Sequence, residues 1–243
     1  MDLQAVIPVK CPLCGRSAAA FLLNTKKNSL TYYRCGHCGF VRLAPRHGVP
    51  RSTEKERYLL HRNDASNTGY LGFLRFFMEK ALMPYKKPGC HVLDFGSGPA
   101  PVLAEELEAR GYRCDLYDPF FAKTRRWRNR VYDAILLHEV AEHIRDPGST
   151  FSMLAAHVNE NGIIAIRTRF LPKSIEDFAS WWYRMDLTHV SFFTQRSLID
   201  FFEARGFRTL LVIEPDIIVF LKNPAGFRRP SDPMESNNRR AIS

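Results

Sequence analysis

Two short units, Cys11-Pro-Leu-Cys14-Gly15 and Cys35-Gly-His-Cys38-Gly39, constrain the start of this chain more than any other feature. In each unit a tight turn brings two thiolates to one side, and the following glycine tolerates the backbone angles such a turn needs. The two pairs stand 20 residues apart. Together they complete a tetrahedral set, so Cys11, Cys14, Cys35 and Cys38 read as Zn²⁺ ligands. A redox dithiol is the alternative, and a paired arrangement at this spacing suits it poorly. A reducing compartment also favours metal over disulfides. The intervening FLLNTKKNSLTYYR reads as two short strands around a Lys26-Lys27-Asn28 turn, which makes residues 1–44 a zinc ribbon. Cys90 and Cys114 stand alone in apolar surroundings and read as small core residues.

The formal charge of +10 is concentrated in this region. Residues 1–60 carry 10 Lys/Arg against 3 Asp/Glu, and the remainder carries 25 against 22. Four zinc-bound thiolates offset about two of those charges. A basic ribbon points to an anionic partner, RNA first, or to solubility alone. No apolar run approaches the roughly 18 residues of a membrane span. The N-terminal residues lack the basic and apolar regions of a secretory signal. The expectation is a cytoplasmic protein with no membrane partner.

Residues 45–69 are polar and turn-rich and read as a linker with room for one short helix. Tyr70, Phe73, Leu74, Phe77 and Ala81 then share one helical face, which Leu71, Met78 and Leu82 widen. Such a helix either packs on two sides or caps an active site. From residue 91 strands and helices alternate. HVLDFG is followed by a helix, VLAEELEARG, that stops at Gly111. YRCDLYDP and VYDAILLHEV follow as strands, and STFSMLAAHV as a helix with Ser149 as its N-cap. GIIAIRT, a helix opened by Thr194, and the hairpin RTLLVIEP/IIVFLKNP complete the series. This order predicts an α/β fold over residues 70–224, a Rossmann-like parallel sheet with a C-terminal antiparallel hairpin. Residues 225–243 read as a disordered tail.

VLDFGSGPAPVL joins the first of these strands to its helix through Gly96-Ser97-Gly98. Glycines there let a ligand approach the backbone at a helix N-terminus. Asp118 closes the next strand, 20 residues beyond Gly98, where a carboxylate can take both ribose hydroxyls of a nucleoside. Asp94 either holds the loop or reaches a cationic group. In these segments the chain resembles the class I S-adenosylmethionine-dependent methyltransferases. DFGSGP matches the first motif, LYDPF the acidic second, and YDAILLHEVAEHIRDP the fourth strand with its loop. NENGIIAIRT matches the fifth strand, and THVSFFTQRSLIDFFEARGF the helix before the final hairpin. Within that superfamily the chain looks closest to bacterial enzymes with an N-terminal zinc ribbon.

The resemblance implies S-adenosyl-L-methionine as cofactor. Gly96, Ser97 and Gly98 would meet its methionine part, Asp118 its ribose, and His138 would lie near the sulfonium. The family usually has a further helix, a strand and an acid beside the adenine, where this chain has only PFFAKTRRWRNR. The third strand is therefore expected to be missing or reduced, with Phe120 or Phe121 left to cover the adenine. Lys123, Arg125, Arg126, Arg128 and Arg130, interleaved with Trp127, read as a loop that tracks phosphates or as a solvated one.

LLHEVAEHIRDP superficially suggests a zinc protease, but the histidine four residues after His138 that such a site needs is replaced by Glu142. Glu139-x-x-Glu142-His143 instead resembles the metal-binding segment of ubiquinone-pathway O-methyltransferases and of small-RNA 3′-terminal 2′-O-methyltransferases. His189 matches the histidine that completes the site in the RNA group. That resemblance implies Mg²⁺ or Mn²⁺ on Glu139, Glu142, His143 and His189, activating a vicinal diol. Without metal, the segment shapes the substrate-side loop and His143 or His189 serves as general base. Asp186, Trp181, Trp182 and Tyr183 read as the acceptor pocket or as lid packing. The expected function is methyl transfer to an O or N atom on RNA. The alternatives are a small-molecule (catechol or sugar diol) O-methyltransferase with a structural ribbon, and a non-catalytic binding protein on the same fold.

Overall fold

The computed structural model describes residues 9–24, 29–60 and 64–224. The expected Lys26-Lys27-Asn28 turn and the expected tail at 225–243 lie outside them. In chain order the strands are β1 (Val9–Lys10), β2 (Ser17–Asn24), β3 (Ser29–Cys35), β4 (Val41–Leu43), β5 (His91–Phe95), β6 (Arg113–Tyr117), β7 (Tyr132–His138), β8 (Val158–Arg167), β9 (Ser191–Phe192), β10 (Phe207–Ile213) and β11 (Ile217–Lys222). The α-helices are α1 (Arg51–Leu60), α2 (Thr68–Ala81), α3 (Val102–Glu108), α4 (Pro147–Ala156), α5 (Ile175–Ser180) and α6 (Gln195–Glu203).

Strand–helix alternation builds a six-stranded sheet in the order β10-β11-β8-β7-β5-β6. β6, β5, β7 and β8 run parallel, while β11 and β10 close one side as an antiparallel hairpin. This is the predicted α/β class. Alternate residues of the central strands serve opposite layers. Val92, Ala134, Leu136, Ile163 and Ala165 pack against α2 and α3. Leu93, Phe95, Ile135, Leu137, Ile164 and Ile166 pack with residues of α4 and α6. Burial on both faces is why these strands read as continuous apolar runs. Each of the larger ones, Val, Leu, Ile or Phe, stabilises the fold by about 1.5–3 kcal/mol.

The expected loss of the third strand holds among the described residues. β6 is the sheet's edge, and the chain returns to β7 with a 3-10 turn at Arg126–Asn129 as its regular element. Trp127 on that turn is 1% exposed and packs against Phe95 and Tyr117. The reading in which Trp127 alternates with exposed basic residues along a nucleic acid is therefore corrected: the indole belongs to the core.

Helix starts follow local chemistry. Thr194 caps α6 as expected, its hydroxyl accepting from the Ser197 N–H at 2.9 Å. For α4 the cap is Asp146, not Ser149; its carboxylate accepts from the Ser149 N–H at 3.3 Å. Pro147 explains the shift, because proline favours the first helical position and so sets the cap one residue earlier.

The N-terminal strands form a second, antiparallel sheet, β1-β2-β3-β4-β9. Its last strand comes from far along the chain, with Val41 opposite Phe192 and Arg42 opposite Ser191. Leu30, Tyr32, Val41 and Leu43 share a core with Phe178, Tyr183 and Phe192. Cys11, Leu13, Cys35, Cys38 and Phe40 belong to the same apolar cluster as Phe151, Leu154 and Phe193. The Gly148 N–H donates to the Pro12 carbonyl at 2.9 Å, and a Cβ on Gly148 would lie 2.3 Å from that oxygen. The Thr194 hydroxyl donates to the Cys38 carbonyl at 3.3 Å. The cysteine turns thus sit directly on the starts of α4 and α6. No helix among the described residues is long and apolar enough to cross a membrane.

Candidate functional site

The four cysteines converge. Cys11 and Cys38 Sγ lie 3.8 Å apart and Cys14 and Cys35 Sγ 3.5 Å, and all four sulfurs lie within 4.8 Å of one another. Gly15 and Gly39 have φ of +75° and +77° and close the turns by donating to the Cys11 and Cys35 carbonyls. Thiols packed this closely cannot all ionise alone. The hydrogen bond from Cys38 pulls Cys11 down to about 5, and the same bond, with burial, pushes Cys38 up. A divalent cation at the centre removes that conflict, and the donor set fits zinc.

A cleft of about 830 Å³ opens at the carboxyl ends of β5, β6 and β7. The chain crosses from β6 at the edge to β7 on the far side of β5, and such a switch point leaves a crevice. Gly96 turns there with φ +92°, and a Cβ on it would meet Val140 Cγ2 at 2.4 Å, so only glycine fits. Asp118 binds the loop: its Oδ2 accepts from the Gly98 N–H at 3.1 Å, and its Oδ1 from the Phe120 and Phe121 N–H groups at 2.7 and 3.0 Å. Gly96, Ser97, Gly98, Asp118 and His138 all line the cleft.

Buried polar atoms without partners gather at this end of the sheet. Asp94 Oδ2, Ser97 Oγ, His138 Nε2 and Glu142 Oε1 are four of the seven such atoms among the described residues. Unpaired buried groups are costly, so a cluster of them marks a place where a ligand completes the bonding. Asp94 lies beneath the glycine loop rather than at the cleft wall. Burial, aided by Asp118, raises its carboxyl to about 7. His138, between Phe73 and Phe77, is pushed down to about 3 by burial and is neutral.

The loop after β7 supplies the other half. Glu139 holds a left-handed φ of 53°, and its N–H donates to the Arg167 carbonyl at 2.9 Å. For a non-glycine residue this is strained backbone of a kind that concentrates at functional sites. Glu142 is fully buried, with Oε2 accepting from the Thr168 hydroxyl at 2.8 Å. His143 Nδ1 lies 3.0 Å from the Thr188 carbonyl and His189 Nδ1 2.6 Å from the Tyr183 carbonyl. A carbonyl only accepts, so each Nδ1 carries the proton and each Nε2 keeps a lone pair. Burial lowers both imidazoles, His189 to about 3. The two rings stand 4.7 Å apart.

Ligand atoms of Glu142, His143 and His189 lie within 4.8 Å of one another. Glu139, expected beside them, falls outside that group: its Oε2 accepts from the Tyr183 hydroxyl at 3.3 Å. Of the expected acceptor wall, Trp182, Tyr183 and Asp186 line the cleft. Trp181 packs instead with Phe178 and Phe192 against the small sheet. Phe120, not Phe121, faces the cleft.

α1 is the one short helix the linker had room for, but its place at the cleft was not foreseen. Its polar residues, RSTEKERYLL, read as linker, yet Arg51, Glu54, Arg57 and Tyr58 all line the cleft. Arg57 grips Asp186 with Nε–O distances of 2.9 and 2.8 Å. Asp186 in turn accepts from the Thr188 N–H and hydroxyl, next to the carbonyl that holds His143. The signal was the polar residue spacing of one short helix, which is indistinguishable from a solvated face.

A methyltransferase-domain family matches residues 70–212, more than half of the chain. No curated protein sequence matches it. Solved structures of similar fold include CalO1, a methyltransferase in calicheamicin biosynthesis, at 15% identity, covering 63% of this chain and 55% of that one, with a TM-score of 0.45. An O-methyltransferase family protein from Burkholderia thailandensis is 11% identical over 65% and 57%, TM-score 0.47. The 1,6-didemethyltoxoflavin-N1-methyltransferase of the same organism is 12% identical over 84% and 99%, TM-score 0.49. The chain spans little more than half the length of the first two. Likenesses this distant carry no argument about acceptor or mechanism; the family match does the assigning. By that match, on a fold of the expected class, the chain belongs to the methyltransferase-domain family.

Proposed function

We propose that the enzyme transfers the methyl group of S-adenosylmethionine to an oxygen atom seated against His143 and His189. The observation that carries this reading is the pair of imidazoles, each with Nδ1 on a carbonyl and so with an Nε2 lone pair left for another partner, both lining the cleft. Asp94, buried and away from the cleft wall, supports the loop from below. The Gly96-Ser97-Gly98 turn suits the donor's methionine part, the neutral His138 its sulfonium, and Asp118 its ribose. When bound, the sulfonium supplies a methyl carbon open to in-line attack, so the protein's task is alignment and proton removal. A neutral alcohol is a poor nucleophile. His143 takes its proton at Nε2, and Glu142 Oε1, which has no hydrogen-bond partner and lies 3.8 Å from that nitrogen, favours the imidazolium that forms. Zinc on Cys11, Cys14, Cys35 and Cys38 has a structural role in this reading.

A divalent cation on Glu142, His143 and His189 is a second reading of the same groups, favoured by their mutual proximity. Two imidazoles and one carboxylate suit Mn²⁺ better than Mg²⁺, which takes mainly oxygen ligands. The cleft falls in the size range of small-molecule sites, roughly 300–1,000 Å³, and α1 crosses it. Those facts favour a small hydroxylated acceptor. The RNA acceptor expected from charge fits as a chain end, with Arg51 at the wall for a phosphate.

The test is incubation with methyl-labelled donor and separated RNA and metabolite fractions. Label in metabolites supports the small acceptor, and label in RNA the chain-end alternative. Undiminished transfer by a His143→Ala/His189→Ala double variant would remove the proposed base. Loss of turnover on chelation, with the cysteine zinc retained, would select the metal-assisted form.

A further inference from the structure

The sheet stops at β6, so no third strand supplies an acid beside the donor's adenine. α1 closes that part of the cleft instead. Glu54 on α1 is only 8% exposed. Its Oε1 accepts from the Tyr58 hydroxyl at 2.9 Å, and its Oε2 from Arg145 Nη2 at 3.3 Å. Arg145 also donates to the Val49 carbonyl at 2.7 Å, which fixes the guanidinium at the start of α1. Tyr58 meets Phe120 edge-on with ring centres 5.8 Å apart, and the Arg51 guanidinium stands 5.1 Å from the centre of the same ring. Glu54, Arg145, Phe120 and Ile144 line the cleft together with Asp118.

A buried carboxylate beside a guanidinium presents an acceptor and a donor next to each other. Adenine presents the complement, an amine that donates and ring nitrogens that accept. Phe120 and Ile144 offer apolar surface for the ring's faces. We propose that Glu54 and Arg145 read the adenine edge of the methyl donor, with Phe120 against its face. The specificity pair then joins a residue of the matched span to one that precedes it. This inference rests on the donor reading above, and its test keeps the two apart.

Hypoxanthine reverses the edge: an oxygen replaces the amine, and the neighbouring ring nitrogen carries a proton. Calorimetric titration with S-adenosylhomocysteine and with S-inosylhomocysteine therefore reads the proposed contact directly. The wild-type protein should prefer the adenosyl compound by about tenfold or more, the scale of one charge-assisted hydrogen bond. Glu54→Gln, whose amide can also donate, should lose most of that preference, while Phe120→Ala should weaken both compounds alike. Equal wild-type affinity for the two compounds, or a full preference kept by Glu54→Gln, would overturn the proposal and leave the donor reading intact. A wild-type protein that binds neither compound would overturn the donor reading itself. The wild-type comparison decides the matter even if the Glu54 variant does not fold.

Discussion

Two clusters of metal-type ligands are held in this molecule, and they are built in opposite ways. The four cysteines are enclosed: three are buried, their turns are closed by glycines, and the carbonyls of Pro12 and Cys38 are taken by Gly148 and Thr194. Glu142, His143 and His189 face a cleft, and one oxygen of Glu142 has no partner. A closed set of four suits an ion whose work is holding the fold; an open set of three leaves a position for another molecule. The lesson is where each region completes its bonding. The cysteine end completes it within the chain, and the cleft leaves part of it to a ligand.

The largest effect should come from emptying the closed cluster. Cys35→Ser with Cys38→Ser should abolish binding of about one zinc per chain. Because those residues lie in the main core, it should destabilise the whole molecule by several kcal/mol, as structural zinc sites do. Unfolding confined to β2–β4, with the main transition unmoved, would break the comparison by making the cysteine region autonomous. Next in size is the open cluster. His143→Ala/His189→Ala should cut turnover by about 10²–10⁴-fold, with affinity for S-adenosylhomocysteine retained and melting far less affected than in the cysteine variant. A collapse of melting in this variant would mean the two clusters do the same job.

A smaller change sharpens how tightly the closed cluster is docked. Gly148→Ala forces a methyl group against the Pro12 carbonyl and should lower stability by about 1–3 kcal/mol, read from the denaturant midpoint; an unchanged midpoint would show that the contact yields. The last effect, on pH dependence rather than on melting, belongs to Asp94 at the glycine-loop end of the sheet. Its folded carboxyl titrates near 7, against 3.8 when unperturbed. A raised carboxyl favours the fold at low pH, and that contribution fades as pH rises from about 4 through about 7. Asp94→Asn should flatten this part of the stability–pH curve in the ligand-free protein. An identical slope in the variant would show that Asp94 is not its source.

Much of this architecture is legible in the residues because its signals are local. The paired C-x-x-C-G units, the glycine turn at 96–98 and the strand–helix alternation each follow from spacing within a few residues. The edge at β6 is equally readable, since the chain between Asp118 and β7 is too short for another strand and helix. What escaped depends on distant partners. β9 is two residues long, and its strand character comes from β4. Trp127 sits among arginines in the chain, and only the fold shows its ring against Phe95. α1 looks solvated because Arg57, Glu54 and Tyr58 find their partners in Asp186, Arg145 and Phe120. Glu139 and Glu142 share a motif, yet a two-residue separation across strained backbone sends one to Tyr183 and the other to Thr168.

Val190 has one consequence for how small this catalyst could become. Its carbonyl accepts from Leu43 of the N-terminal sheet at 2.9 Å, and its N–H donates to the Glu142 carbonyl at 2.8 Å. One residue thus ties the cysteine-bearing sheet to the loop of the proposed chemistry. A fragment trimmed to residues 70–212 would leave that carbonyl orphaned and strip the cover from Phe192, three residues after His189. The packed unit therefore extends beyond the matched span.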